Sequence, residues 1–221
     1  MTFLSKQMQS HWGTFTNNMT IKQFISKLLH LIEVRRIKTN KKVVYLTFDD
    51  APEGEITNFV LSYLAKYNAK ATFFCRGDNA EKNPEMLKKI INEGHAVGNH
   101  TYSHIRALSV SNKEYIDNIE RANILLKTHL FRPPWGVLKL SDYRKLISMG
   151  YKIIYWSLTS GDTELDKFDL SSNLERMKNS TKPGDIVLFH SVNRHENETK
   201  QILPQYLAWL YENGYKSKEL I

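Results

Sequence analysis

Cysteine is nearly absent from this sequence, which contains one, Cys75, among 221 residues. A single cysteine cannot form a disulfide bond within the chain, so the sequence permits a reducing compartment. Cys75 ends the apolar segment 71–75, which is typical of a buried strand. We therefore interpret its thiol as a packing group rather than as a nucleophile.

Long apolar runs are also missing, so the sequence predicts no transmembrane segment. Residues 1–10 lack the basic start and the apolar run of a secretory signal. We therefore expect a cytoplasmic protein. The alternative is the cell envelope, if the native start is missing from this sequence.

Apolar residues at helical spacing, interleaved with lysine and arginine, predict a helix near residues 20–34. Such a helix more often packs over a core than lies on a membrane. The alternative is a weak peripheral contact of residues 20–36 with the inner face of the membrane, since anionic lipids attract basic residues.

The net charge of +8 and the pI of about 9.4 suit a nucleic acid, an anionic membrane or an acidic glycan as partner. The basic residues are scattered, apart from a cluster within 35–42, and no motif of a DNA- or RNA-binding module occurs. We therefore expect no nucleic-acid partner. A hydrophobic share of 41% fits one sizeable domain, with or without a short extension.

Strand and helix patterns alternate from residue 43 onward. Predicted strands cover residues 43–48, 71–75, 95–98, 130–131, 151–156 and 185–189. Predicted helices cover residues 56–66, 84–93, 112–127, 140–149, 170–178 and 199–212. This alternation predicts a parallel sheet with crossover helices, either open or closed into a barrel.

Two adjacent acids, Asp49 and Asp50, directly follow the first predicted strand. Side chains alternate along an extended chain, so these carboxylates should point in different directions. One could then bind a metal while the other moves protons. Taken alone, two acids before Ala51-Pro52 are also typical of an ordinary turn.

Two histidines, His100 and His104, meet on one face if their segment is helical. Neutral imidazoles so placed are good ligands for a divalent metal. With a carboxylate from the region of Asp50 they would form a site of two nitrogens and one oxygen. Such a site leaves positions for water and substrate, as a catalytic metal requires.

Three further polar residues, Arg132, Asp162 and His190, lie beyond other predicted strands. The carboxyl ends of the strands of a parallel barrel share one rim, where active sites lie. Arg132 could orient a carboxylate there through a forked pair of hydrogen bonds, or make an ordinary surface salt bridge. His190 alone is also compatible with a buried core histidine.

Four motifs together resemble the polysaccharide deacetylase family, which is the NodB-like group also called carbohydrate esterase family 4. The motifs are Thr47-Phe48-Asp49-Asp50, His100-Thr101-Tyr102-Ser103-His104, Arg132-Pro133-Pro134-Trp135-Gly136 and Leu188-Phe189-His190. They occur in the family's order and approximate spacing, and the resemblance covers roughly residues 42–218. It implies a distorted (β/α) barrel of about seven parallel strands, with an N-terminal helical extension. We accordingly divide the chain into an extension with a basic linker, 1–41, and a catalytic domain, 42–221.

The resemblance implies a role for each acid and histidine of the first two motifs. Asp49 looks like the general base, and Asp50, His100 and His104 look like the ligands of one divalent metal ion. Zinc is the usual metal, with cobalt, manganese, nickel or iron as alternatives. Arg132 looks like the residue that positions Asp49.

The remaining site residues are also implied by this resemblance. His190 looks like the general acid, and Asp162 like the acid that tunes it. The backbone N–H of Trp135 looks like a donor to the oxyanion, and Leu188 like part of the pocket for the acetyl methyl group. We also place Trp156 among the residues that contact the substrate. The aromatic residue that usually follows the family's counterpart of Asp162 is missing here.

These features predict a metal-dependent hydrolase that removes N-acetyl groups from an N-acetylated amino sugar, in a glycan or glycan precursor, and releases acetate. One alternative is a glycan-binding module that has lost catalysis. A second is a non-haem iron oxygenase, which also uses two histidines and a carboxylate. None of the eight histidines is followed two residues later by an acid, a ligand spacing that such oxygenases commonly use.

Overall fold

Strand β1 (Val43–Ala51) is the centre of a parallel sheet in the computed structural model, which describes residues 33–221. The other strands are β2 (Ala71–Cys75), β3 (Ala96–Asn99), β4 (Leu130–Phe131), β5 (Lys152–Ile153), β6 (Leu158–Thr159), β7 (Ile186–His190) and β8 (Lys216–Ser217). The strand order is β5-β4-β3-β2-β1-β7-β6, and β8 pairs with the beginning of β1. Each of these pairings is parallel.

The helices follow the strands as crossover connections, as the alternating sequence pattern predicted. They are α1 (Gly54–Lys66), α2 (Gly77–Lys82), α3 (Pro84–Asn92), α4 (Asn112–Leu126), α5 (Leu140–Ser148), α6 (Leu170–Ser180) and α7 (Glu196–Glu212). Within residues 33–221 no pairing joins β5 to β6, so the barrel is open between them. The prediction of a distorted (β/α) barrel of about seven strands is therefore confirmed.

The two faces of β1 have different neighbours, because successive side chains of a strand point to opposite sides. Leu46 and Phe48 belong to a buried apolar core shared with helices α1 and α7. The Phe48 ring stacks between those of Phe73 and Phe189, at centroid distances of 5.1 and 5.5 Å. Thr47 and Asp49 lie on the opposite face, so the alternation of β1 separates the core from a polar barrel interior.

Residues 34–37 pair with the barrel ahead of β1. Val34 forms an isolated parallel bridge with Ile154, and the Ile37 N–H donates a hydrogen bond to the Gly184 carbonyl. The helix predicted near 20–34 lies outside the described residues except at its end, where Val34 is in a bridge rather than a helix. The domain boundary between residues 41 and 42 stays a prediction.

Some short elements differ from the sequence-based expectation. The strand predicted over 151–156 is limited to β5, because the chain beyond it turns its carbonyl groups toward a buried arginine. Strands β6 and β8 and helix α2 were not predicted, since two to six residues are too few to display a periodic pattern. In the described part of the chain, no helix combines the length and the apolar character that crossing a membrane requires.

Candidate active site

Eight of the ten predicted site residues line one cavity of about 400 Å³ at the carboxyl ends of β1 and β7. The other two, Arg132 and Asp162, are fully buried and form hydrogen bonds with Asp49 and His190. The lining residues are Asp49, Asp50, His100, His104, Pro133, Trp135, Gly136, Trp156, Thr163, Leu188, His190, Arg194 and His195. A larger cavity of about 520 Å³ lies at the other end of β1, between residues 67–70, which follow helix α1, and residues 207–219, which include the end of α7 and β8. Among residues 33–221, no histidine and none of the predicted site residues lines that larger cavity, so the chemistry belongs to the smaller one.

Asp50, His100 and His104 form a group that could hold a metal ion, with one ligand atom of each lying within 4.8 Å of the others. Asp50 Oδ1 is 3.4 Å from His104 Nε2 and 3.9 Å from His100 Nε2. The sequence suggested that the two histidines would meet across a helix turn. They do not, because residues 100–105 form a loop. Thr101 and His104 both adopt positive φ, and these turns bring the two rings to a centroid distance of 5.1 Å.

The donor set of this group fits a divalent ion. Asp50 Oδ1 is buried and accepts no hydrogen bond from the described residues, so it is free to bind a cation. His100 Nδ1 is 2.8 Å from the Arg132 carbonyl oxygen, a contact that assigns the proton to Nδ1 and leaves the Nε2 lone pair for a metal. Two imidazole nitrogens and one carboxylate oxygen are the ligands of many catalytic zinc sites.

Electrostatics keep His104 and Asp50 in the forms that bind metals. Burial lowers the pKa of His104 to about 4, helped by the neighbouring His100, so the imidazole of His104 is neutral at neutral pH. Burial acts to raise the pKa of Asp50, but its electrostatic interactions with the rings of His100 and His104, and with the cationic His190 and Arg194, outweigh burial and hold that pKa below its ordinary value. Asp50 is therefore ionised, as a metal ligand must be.

Asp49 is held by a buried arginine. Arg132 is fully buried and donates from Nη1 to Asp49 Oδ1 at 2.7 Å and to Thr47 Oγ1 at 2.8 Å. Its Nη2 donates to the Tyr155 carbonyl at 3.0 Å, and its guanidinium carbon lies 4.1 Å from the centre of the Phe74 ring. With Oδ1 fixed, Asp49 Oδ2 lies 3.7 Å from His100 Nε2, so this second oxygen faces the metal ligands.

His190, which is partly exposed to the cavity, pairs with the buried Asp162. His190 Nδ1 is 2.9 Å from Asp162 Oδ1, and the His190 backbone N–H donates to Asp162 Oδ2 at 2.7 Å. Thr199 Oγ1 donates to the same Oδ2. Burial acts to lower the pKa of His190, but the Asp162 carboxylate outweighs it and raises the pKa to about 9. The imidazole is therefore protonated at neutral pH and able to give up a proton.

The three residues predicted to contact the substrate all line the cavity. Trp135 is 64% exposed at the cavity mouth, and its ring lies 5.3 Å from that of His104. Leu188 is buried in β7, two residues before His190. Gly136, with φ +66°, lies against Trp156, and a Cβ at Gly136 would come within 3.0 Å of the Trp156 ring.

Two residues of this cavity were missed by the sequence-based prediction, Arg194 and His195. Arg194 Nη2 donates to Asp50 Oδ2 at 2.8 Å, and Arg194 Nε donates to His195 Nε2 at 3.1 Å. The His195 ring lies 5.5 Å from that of His190. The only feature of the sequence that could have indicated them is that both are basic and follow His190 within five positions.

Comparisons with known proteins agree with this geometry. The sequence profile described as polysaccharide deacetylase matches residues 36–154. A peptidoglycan-N-acetylglucosamine deacetylase of Bacillus cereus is 30% identical over 185 residues, which are 81% of this chain and 87% of that protein.

Two solved structures are similar to this fold. The crystal structure of the Bc1960 peptidoglycan N-acetylglucosamine deacetylase, in complex with 4-naphthalen-1-yl-N-oxidanyl-benzamide, superposes with a TM-score of 0.81. It is 30% identical and covers 88% of this chain and 94% of its own. The protein BA3943 of Bacillus anthracis, a CE4 family pseudoenzyme, superposes with a TM-score of 0.75 at 27% identity, covering 85% of this chain and 67% of its own.

Because the similar structures include a pseudoenzyme, the fold alone does not establish activity. The function has to be inferred from the side chains of the cavity. The profile match, by contrast, covers more than half of the chain, and the Bacillus cereus relative covers most of it. On these grounds, and as its four motifs suggested, this chain belongs to the polysaccharide deacetylase family.

Proposed function

We propose that this protein is a metal-dependent hydrolase that removes the N-acetyl group from an amino sugar of a glycan and releases acetate. One observation carries the proposal: the Asp50, His100 and His104 group, Asp49 and His190 all line one cavity. An amide hydrolysis needs a group that activates water, a group that takes its proton and a group that protonates the leaving amine. Each of these needs has a candidate in this cavity.

The metal site is proposed as Asp50, His100 and His104, with zinc as its ion. A bound divalent ion supplies Lewis acidity, which polarises the amide carbonyl and lowers the pKa of a water molecule. The protein contributes the neutral imidazole of His104, the ionised carboxylate of Asp50 and a His100 ring that is oriented by the Arg132 carbonyl.

Asp49 is proposed as the general base. Arg132 holds Oδ1, so the lone pairs of Oδ2 stay directed toward the side of the cavity where His100 lies. A fixed carboxylate can accept the proton of the attacking water without first rotating into place. Arg132 thereby acts on the reaction through Asp49 and is a positioning residue.

His190 is proposed as the general acid. Because its pKa is raised to about 9, the imidazole carries its proton at neutral pH and can transfer it to the nitrogen of the departing amine. Nδ1 is occupied by Asp162, so Nε2 is the atom that donates this proton. The loss of a neutral amine rather than an amide anion is what makes cleavage of the C–N bond feasible.

The substrate is proposed to be an N-acetylhexosamine unit, of which N-acetylglucosamine is supported by the names of the relatives reported above. The buried side chain of Leu188 suits the methyl of the acetyl group, and the backbone N–H of Trp135 suits its oxygen. Trp156 and the exposed ring of Trp135 offer apolar faces on which a sugar ring can stack.

The second candidate function is glycan binding without catalysis, which the similarity to a pseudoenzyme favours. The two candidates differ in one product, acetate. Purified protein supplied with zinc or cobalt is incubated with N-acetylhexosamine oligomers, nucleotide sugars and lipid-linked sugars, and the loss of acetyl groups is followed by mass spectrometry. We expect acetate from at least one class, and none when Asp49→Asn replaces the wild type. Glycan binding by the metal-loaded protein, with no acetate from any class, would establish the binding module instead.

A further inference from the structure

The two carboxylate oxygens of Asp50 have different neighbours. Oδ1 faces His104 Nε2 at 3.4 Å, whereas Oδ2 accepts a hydrogen bond from Arg194 Nη2 at 2.8 Å. We infer that Arg194 is a positioning residue, which holds Oδ2 so that Oδ1 is the oxygen offered to the metal. This inference rests on the metal site proposed above and adds a residue that none of the four motifs contains.

Arg194 fixes the orientation of the Asp50 carboxylate, which the backbone of Asp50 does not determine. The main chain of Asp50 adopts φ 68°, and its carbonyl accepts a hydrogen bond from Asn79 Nδ2 at 2.8 Å. Among residues 33–221, the carboxylate itself accepts a hydrogen bond from Arg194 alone. Without that bond the carboxylate could rotate about its own torsions, and neither oxygen would be held toward the two histidines.

The position of Arg194 is itself determined from two sides. Its Nε donates to His195 Nε2 at 3.1 Å, and the backbone N–H of the preceding Asn193 donates to Glu53 Oε2 at 2.6 Å. The loop after β7 is thus tied to the loop after β1 close to the metal ligand. The guanidinium reaches Asp50 and His195 through different nitrogens, which the single ammonium group of a lysine cannot do in the same geometry.

The charge of Arg194 acts against its positioning role. A cation next to a metal ligand repels a divalent ion, so removing the charge alone would strengthen metal binding. The Arg194 side chain is 51% exposed, however, and water screens such a charge, whereas the Asp50 carboxylate is buried. Partners that orient metal ligands are typically worth about 10–100-fold in metal affinity, so the positioning role is the larger effect.

The test compares the wild type with Arg194→Ala and Arg194→Gln. Zinc affinity is measured by competition with a chromophoric chelator, and the visible absorption of bound Co²⁺ reports the coordination geometry independently of any activity. We expect Arg194→Ala to bind zinc about 10–100-fold more weakly, with an altered Co²⁺ spectrum. Arg194→Gln has no charge but keeps an N–H donor, and we expect it to recover part of the affinity.

Arg144→Ala is the matched control, because Arg144 is an exposed arginine of α5 and does not line the cavity. Thermal melting of each variant shows whether it is folded, and if Arg194→Ala is not, the comparison is made with Arg194→Gln, which should still bind zinc more weakly than the wild type. The inference is overturned if the folded Arg194 variants bind zinc as tightly as the wild type, or more tightly. If the wild type binds neither zinc nor cobalt, the metal site proposed above is wrong. This outcome is distinguishable from equal zinc binding by all variants, which would contradict only the role of Arg194.

Discussion

Arg132 and Asp49 form an ion pair of 2.7 Å in which the arginine is fully buried. Leaving one member of such a pair without its partner typically costs about 3–5 kcal/mol of stability. We therefore expect Arg132→Met to lower the free energy of unfolding by about that amount, and to reduce turnover because Asp49 is no longer held. Urea denaturation and acetate release measure the two effects.

The control for Arg132 is Arg36→Met. Arg36 is partly exposed and pairs with the buried Asp185, which also accepts hydrogen bonds from Ser157 Oγ and the Lys182 N–H. We expect a smaller loss of stability and normal turnover from this variant. If Arg132→Met is as active as the wild type, Arg132 does not position the base.

The two adjacent acids should separate metal binding from proton transfer. Asp50→Ala removes a metal ligand, so we expect both zinc affinity and activity to fall. Asp49→Asn keeps the shape of the side chain but is a poor proton acceptor, so it should bind zinc nearly normally and lose about 10²–10⁴ in turnover. Isothermal titration with zinc beside turnover assays distinguishes them, and the opposite pattern would reverse the two roles.

Metal removal should abolish turnover, and zinc or cobalt should restore it. We expect about one divalent ion per chain, as for a single site with three protein ligands, and less in His104→Ala. His129→Ala is the control, because His129 is an exposed histidine outside the cavity and should leave the metal content unchanged. Full activity of a verified metal-free sample would contradict the proposed mechanism.

The alkaline limit of activity should follow the ionisation of His190. Burial lowers the pKa of this residue, but Asp162, with smaller contributions from Asp49 and Asp50, raises it to about 9, so activity should fall as the pH rises toward that value. A bound divalent ion adds positive charge nearby and brings the limit of the loaded enzyme below about 9.

Asp162→Asn removes the charge that holds the proton on His190. We expect the alkaline limit of kcat/KM to shift toward lower pH in this variant, with zinc affinity unchanged. Thr199→Val removes the hydroxyl that contacts both Asp162 Oδ2 and the His190 carbonyl but leaves the Asp162 charge in place, so it should shift that limit less. An alkaline limit that is the same in Asp162→Asn as in the wild type would show that His190 is not the acid.

The turn at Gly136 should be sensitive to a single added methyl group. Gly136→Ala introduces a side chain at φ +66°, within 3.0 Å of the Trp156 ring, whereas Gly150→Ala introduces one at φ +82° with no atom within 4 Å. Both substitutions carry backbone strain, typically about 1–3 kcal/mol. Only Gly136→Ala should also raise KM for the glycan, because it alone displaces a cavity residue. Equal KM values for the two variants would mean that Trp156 does not contact the substrate.

The sequence was most informative where strands end in polar residues. The apolar run of β1 before Asp49 and Asp50, together with the family motifs, predicted the barrel, its rim, the pairing of Arg132 with Asp49 and the pairing of His190 with Asp162. The loop geometry could not be predicted from the sequence. His100 and His104 come together through positive φ values at Thr101 and His104, which the sequence pattern does not indicate. Arg194 was missed for another reason: its contact with Asp50 joins residues 144 positions apart.

The carbonyl groups that Arg132 binds lie just beyond β5, at the open side of the barrel. Tyr155 offers its carbonyl oxygen to the guanidinium at 3.0 Å rather than to a neighbouring strand. A side chain thus supplies hydrogen bonds that a strand would supply in a closed barrel, and the same side chain orients the base. It follows that catalysis and architecture are not separable at Arg132. A descendant that kept only glycan binding could not lose Arg132 without also weakening the open side of the barrel.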